Sequence, residues 1–232
     1  MVLGGCYILC TSFLSQPRGR LFLHLKMETI SNGMKNRTEA DIFYLVEEGR
    51  IISHYTYPSE YFRISDRLGE VKLYFPESNS VFIQRDPFLS SENELLHFFV
   101  YNKISDLGLQ ELGFKPVETK MDEGILVTTW KPINPESENI KKIVLAHENN
   151  MPLYMAYFDK KDKAIKKIYY SDYSMLSFCA LPTTVVDISY VSEKDSVISR
   201  RQFMGLENGI HLKSSYFNFQ VPEDAKRIED LK

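Results

Sequence analysis

The chain has 232 residues and a mass of 27.0 kDa, enough for one large domain with a sizeable core. Hydrophobic residues at 44% and charged residues at 25% exclude a largely disordered chain. Lys and Arg number 28 against 31 Asp and Glu, a net charge of −3, which lacks the basic footprint of a nucleic-acid protein.

Aromatic residues are the unusual feature: 15 Phe and 14 Tyr stand in a chain with 11 Gly. That much aromatic surface needs a large apolar interior, and so little glycine leaves no glycine-rich phosphate loop. Two of the three cysteines, Cys6 and Cys10, lie in the first ten residues and the third is Cys179. With that first segment removed, a single thiol remains and no intramolecular disulfide can form. His24, His54, His97, His147 and His211 lack ligand spacing, so neither a metal nor another cofactor is expected.

Val2 to Leu14, VLGGCYILCTSFL, is apolar and uncharged, and Arg18 is the first basic residue. Its length suits the hydrophobic region of a signal peptide and is too short for a helix to span a bilayer. Residues 1–16 are therefore expected to be a cleaved signal lacking its basic start, and 17–232 a single mature domain. Two other readings stay open. Leu3-Gly4-Gly5-Cys6 resembles a lipobox, which would make Cys6 a lipid anchor, and the segment also reads as a plain apolar first stretch.

A helix is predicted over Leu21 to Met34. Strands follow at Asp41–Glu47, Arg50–Tyr57, Tyr61–Ser65, Glu70–Phe75 and Ser80–Arg85. Glu48-Gly49, Pro58-Ser59, the Asp66 to Gly69 stretch and Pro76 to Asn79 punctuate them as turns. At Ser91 the period changes. Ser91 to Glu94 matches a capping box with Ser91 as N-cap, ahead of a helix that is apolar almost all round from Leu95 to Tyr101. A second short helix is predicted over Asp106–Leu112, ending at Gly113.

Further strands are predicted at Phe114–Lys120, Ile125–Lys131, Ile140–His147, Leu153–Phe158, Ala164–Tyr170 and Thr183–Val191. The last pair, Val197–Leu206 and Ile210–Phe219, would be joined by a hairpin at Asn208-Gly209. About eleven strands with short connections predict one antiparallel sheet in a mainly β (α+β) domain. Several strands, among them Leu153 to Phe158, are apolar on both faces, so both faces need cover or one holds an apolar guest.

No catalytic motif stands out. G-x-S-x-G and H-E-x-x-H are absent, and Cys179 has no sequence neighbour that would lower its pKa. Acidic pairs such as Glu47-Glu48 and Asp122-Glu123 sit in turns, where carboxylates are solvated. An enzyme is not expected.

Four segments together resemble the LolA/LolB superfamily of bacterial lipoprotein carriers and lipoprotein-sorting proteins. They are Tyr57-Pro58 leading into Tyr61-Phe62-Arg63, and Leu73-Tyr74-Phe75-Pro76 returning through Val81-Phe82-Ile83. Next come Pro152 to Asp159 with Ile168-Tyr169-Tyr170 and Leu181-Pro182-Thr183, and finally Phe217 to Ala225 with its Val221-Pro222 exit. The resemblance implies a single curved antiparallel sheet, an incomplete half-open β-barrel whose concave side is covered by helices. It also implies a periplasmic carrier or chaperone that holds lipoprotein acyl chains, or a related lipid, between the barrel and its helical lid, without catalysis. Partners of such a carrier would be an inner-membrane donor complex and an outer-membrane acceptor, and a monomer is expected. LolA carries an Arg just before the strand-leading proline that helps close its lid. Tyr57 stands there in this chain, with Arg63 the candidate substitute.

Strand parity assigns Phe62, Ile64, Leu73, Phe75, Met155, Tyr157, Ile168 and Tyr170 to the concave, ligand-binding face. Phe43, Ile143 and Leu145 lie beside them, with Leu95, Phe98 and Phe99 on the lid. The alternative reading is a non-enzymatic envelope protein with a closed core and no ligand.

Overall fold

The computed structural model describes residues 17–136, 139–192 and 195–230. The proposed signal segment, with Cys6 and Cys10, lies outside them.

The chain opens on a hairpin where a helix was predicted. Strands β1 (Arg20–Ser31) and β2 (Met34–Leu45) pair antiparallel from Arg20 opposite Leu45 to Ser31 opposite Met34. Two local facts decide this. Leu21, Leu23 and Leu25 are buried at every second position, a strand period. Asn32 and Gly33 both take positive φ, +50° and +74°, which a two-residue hairpin turn of the primed type requires.

Strands β3 (Arg50–Tyr57), β4 (Tyr61–Ser65), β5 (Glu70–Phe75) and β6 (Ser80–Arg85) extend the meander as predicted. After a short helical excursion come β7 (Phe114–Asp122), β8 (Ile125–Pro132), β9 (Ile140–Glu148), β10 (Met151–Asp159), β11 (Ala164–Met175), β12 (Ala180–Tyr190) and β13 (Ser196–Gly209). Strand β13 returns to pair with β1, joining the two meanders through the middle of the sheet. A last short strand, β14 (Lys226–Ile228), pairs parallel with β6.

The result is one sheet of fourteen strands, more than the eleven expected, in the order β14-β6-β5-β4-β3-β2-β1-β13-β12-β11-β10-β9-β8-β7. It curls without closing, and β14 and β7 are its two ends.

The predicted hairpin at Asn208-Gly209 does not form. Strand β13 stays on β1 until Gly209 meets Arg20, and the chain then leaves the sheet. Residues predicted as a strand at Ile210–Phe219 instead include a 3-10 turn, Ser215–Asn218, capped by the Ser214 hydroxyl. Its Phe217 is buried to 1% exposure, and that burial outweighs strand propensity here.

The helical part is smaller than predicted. Helix α1 (Leu95–Val100) is the one α-helix among the described residues. Ser91 does not cap it. A separate 3-10 turn, Ser91–Asn93, precedes it with Ser90 as cap, and the Ser91 hydroxyl donates to the Gly49 carbonyl. The segment predicted as a second helix is a string of turns. Leu107 and Gly108 take φ of +48° and +79°, which an α-helix cannot contain. A side chain at Gly108 would also meet the Phe98 ring at 2.8 Å.

The sheet divides its apolar groups between two cores. One lies on the face toward α1 and draws on β1 to β3, β7 to β13, the helix and the turns after it. Its most buried members include Leu21, Leu23, Tyr44, Phe99, Ile143, Leu145 and Leu181. Strands from both halves of the curled sheet contribute to this one cluster, which makes this face its concave side. The second core, with Phe43, Ile52, Phe62, Tyr74 and Phe217, lies on the outer face of β2 to β6 under the C-terminal segment.

Candidate functional site

The concave wall is built by register. Leu145 on β9, Met155 on β10 and Ile168 on β11 sit directly opposite one another, and Ile143 and Tyr157 form the next row. Side chains opposite one another across an antiparallel pair share a face, so these five make a continuous apolar patch over three strands. Helix α1 buries Leu96, Phe99 and Val100 in the same interior cluster, at the i, i+3, i+4 spacing of one helix face. The Phe99 ring lies 6.1 Å from each of Tyr170 and Tyr173.

Nine of the predicted residues share this interior cluster: Ile143, Leu145, Met155, Tyr157, Ile168, Tyr170, Leu95, Phe98 and Phe99. Leu73 and Phe75 fall on the same side by register, since Leu73 is opposite Arg63, but are only half-buried near the far end. Phe75 continues an aromatic row through Tyr61, 6.0 Å away, to Tyr55, which stacks on Tyr61 at 4.3 Å.

Phe43, Phe62 and Ile64 do not belong there. They occupy the outer core, where Phe62 stacks on Phe219 at 4.0 Å and Phe43 meets Phe217 edge-on at 5.3 Å. On β2 the interior residues are Ile42 and Tyr44, and on β3 Ile51 is interior and Ile52 outer. Parity sorts a strand into two sets but does not say which is concave. With the C-terminal cover read as a strand, the outer face offered no sign that it too was buried.

Polar contacts hold the helix down. Glu94, the residue before α1, accepts from Arg63 Nη1 and from Ser65 Oγ, both at 2.8 Å. Tyr101 follows the helix and donates to the Val46 carbonyl at 2.8 Å, while Arg67 donates to the Tyr101 hydroxyl at 2.9 Å. His147 on β9 donates from Nε2 to the Ile104 carbonyl at 2.8 Å, tying the turns to the wall.

His97 is the odd residue on the buried face of α1. It is 2% exposed, its Nδ1 lies 3.3 Å from the Tyr44 hydroxyl, and its ring stacks on Tyr101 at 4.3 Å. Burial lowers its pKa to about 4, helped by Lys103 and Arg67 and opposed by Glu92 and Glu111. Its Nε2, with Trp130 Nε1 and His147 Nδ1, is buried without a hydrogen-bond partner among the described residues. Burial also pushes the Tyr157 hydroxyl up to about 12 and the Cys179 thiol to about 12.

Sequence reasoning missed Tyr44, His97 and Trp130 as parts of this site, and took Glu94 for a capping residue. A histidine between Leu96 and Phe98 was the available signal, since a polar residue in an apolar helix must answer to something. Among the described residues, no three His, Cys, Asp or Glu side chains gather where they could hold a metal. Open cavities lie elsewhere, one of about 310 Å³ beside Ile64 and Val221 and one of about 480 Å³ by Val117, Lys131 and Ile140.

Comparison with known proteins places the fold. No family model matches the chain, and no curated protein matches it. Solved structures do. A proposed outer-membrane lipoprotein-sorting domain from Vibrio parahaemolyticus is 14% identical with a TM-score of 0.56, over 86% of this chain and 89% of that one. A DUF1329 family protein from Desulfovibrio piger is 14% identical at 0.56, over 88% and 90%. A LolA superfamily protein from Nitrosomonas europaea is 9% identical at 0.53, over 82% and 86%. The chain has a LolA-like fold: mainly β, one curled, unclosed sheet with few helices.

Proposed function

We propose that the protein is a periplasmic carrier that binds lipoprotein acyl chains, or a related lipid, against the concave wall, without catalysis. The observation that carries this reading is the seating of α1. A six-residue helix packs Leu96, Phe99 and Val100 into the interior cluster beside β11 and β12, and a few polar contacts at Glu94, Tyr101 and Ile104 hold it and the turns behind it. Lifting that short segment would bare Tyr170 and Tyr173, the rings that Phe99 packs against, without breaking a strand pair. An acyl chain would take the place of the helix side chains, gaining about 25 cal/mol per Å² of surface removed from water. Release needs only the reverse motion. Exchange of this kind supports transfer between a donor and an acceptor membrane, as the resemblance to lipoprotein-sorting folds suggests.

One observation favours the alternative of a closed core. Met155 is 2% exposed and Ile143 and Leu145 are 0% exposed, so the wall is already filled by the protein's own side chains. Titration with a fluorescent C16 fatty acid separates the two readings. A carrier takes up the probe saturably, near one per chain, and native lipid competes. A closed core gives no saturable uptake.

A further inference from the structure

Strand β7 forms one end of the sheet: β8 pairs with one side of it, and no described strand pairs with the other. Eight of its nine residues are exposed, among them Val117 at 46% and Met121 at 68%. An open edge of that length is a template for another strand, and soluble proteins blunt such edges with prolines, bulges and charges. Here Pro116 and a bulge between Pro116 and Glu118 interrupt one half. The other half, Glu118 to Asp122, runs regularly against β8 without a break.

Within that half, the stretch Glu118 to Lys120 is complementary to itself. When two antiparallel copies pair about a two-fold axis through Thr119, Glu118 stands opposite Lys120 of the second copy and Lys120 opposite its Glu118. Thr119 meets Thr119, and beyond this stretch Met121 falls opposite Val117 at the bulge, apolar against apolar, with Asp122 opposite Pro116. Neighbouring registers lose this match. A slip of two residues puts Glu118 against Glu118 in one direction, and Lys120 against Lys120 in the other. A slip of one sets charged positions opposite Thr119 and turns the two copies' faces out of phase. Opposite charges across a ladder stabilise it and like charges destabilise it. Within one chain, Glu118 and Lys120 already form an ion pair at 2.8 Å, with side chains 52% and 69% exposed, which puts both charges on one face.

We propose that β7 is a homodimer edge, pairing antiparallel with the β7 of a second copy about Thr119. The expectation of a monomer then gives way to a weak, concentration-dependent dimer, since one strand edge buries less than a standard interface. The assembly stops at two. Its contact is isologous, and the opposite end of the sheet is a three-residue strand. This inference does not depend on the carrier reading, because the concave wall takes no part in it.

Analytical ultracentrifugation over a concentration series, with charge reversals, tests it. Glu118→Lys and Lys120→Glu should each weaken the dimer about ten-fold or more, because each creates two like-charge contacts across the axis. The double reversal, Glu118→Lys with Lys120→Glu, should restore it. Both sites are exposed, and circular dichroism checks that each variant is folded. Thr119→Cys should cross-link under mild oxidation beyond any level shown by the unsubstituted chain, because directly opposed positions come within disulfide reach. Glu123→Cys should not, since two copies of position 123 would lie about 26 Å apart in this register. A monomer up to the solubility limit overturns the proposal. So does a dimer indifferent to the single reversals, a double reversal without rescue, or cross-linking at 123 in place of 119.

Discussion

Arg63 on β4 reaches across the concave side to Glu94 at the head of α1, with Nη1 and Oε1 2.8 Å apart. Both side chains are about three-quarters buried, and Ser65 donates to the same carboxylate oxygen. Together with the Tyr101 and Arg67 contacts, this ion pair ties the first meander to the helix packed in the interior cluster. It stands where a movable cover would need a latch.

Replacing Arg63 by Met should loosen that latch without unfolding the sheet. Global stability should fall by about 1 kcal/mol, as for a partly screened pair. Protection of the α1 amides from hydrogen exchange should fall further, and uptake of a fluorescent acyl probe should speed up. Unchanged exchange in residues 95–100 would mean that the pair holds nothing that moves.

Acid should release the helix. Well above pH 6.5 the His97 imidazole is neutral whether docked or free. As pH falls from 6.5 toward 4, the undocked ring takes a proton that the buried ring refuses, so docking loses up to ~3 kcal/mol across that window. Hydrogen exchange at α1, corrected for intrinsic rates, should therefore accelerate between pH 7 and 5, and His97→Asn should flatten the dependence. Protection independent of pH in the unsubstituted protein would contradict this.

The C-terminal segment is a structural part of the sheet and not a tail. Phe217 is 1% exposed, touches Phe43 edge-on, and carries the Arg20 guanidinium 5.0 Å over its ring. Phe217→Ala should cost about 3–5 kcal/mol in chemical denaturation, the usual loss for a buried aromatic. A loss below about 1 kcal/mol would show that the outer face does not need its cover.

Cys179 should be inert. Burial pushes its thiol up to about 12, so almost no thiolate exists near neutrality, and the side chain packs as a small apolar group against the interior cluster. Iodoacetamide should alkylate it slowly in the folded state and readily in urea, and Cys179→Ser should change stability by less than about 1.5 kcal/mol. Fast alkylation of folded protein would reopen a reactive role.

The middle of the fold was legible because turn chemistry brackets it. Gly49, Pro58, Gly69 and Asn79 delimit β3 to β6, whose bounds match the sequence reading residue for residue. The two Asn-Gly pairs show the limit of such signals. Asn32-Gly33 closes a hairpin, while Asn208-Gly209 does not, because the long partner β1 holds β13 to its last residue. The helix predicted over Leu21 to Met34 failed for a related reason. Its apolar residues alternate at Leu21, Leu23 and Leu25, but Phe22 between them, packed against the outer core, blurs the period. The same two-sided burial defeated the assignment of Phe43, Phe62 and Ile64. The wall on β9 to β11 was readable, since it needed only the correct parity of three neighbouring strands.

A photoreactive fatty acid tests the carrier account most directly. Irradiated with the protein and mapped by peptide mass spectrometry, a diazirine-bearing C16 chain should label Leu145, Met155, Ile168 or Tyr170, together with α1. Competition by unlabelled lipid should suppress that labelling. Labelling confined to the outer face around Phe62 and Phe217, or none that lipid suppresses, would contradict a carrier whose cargo lies beneath α1.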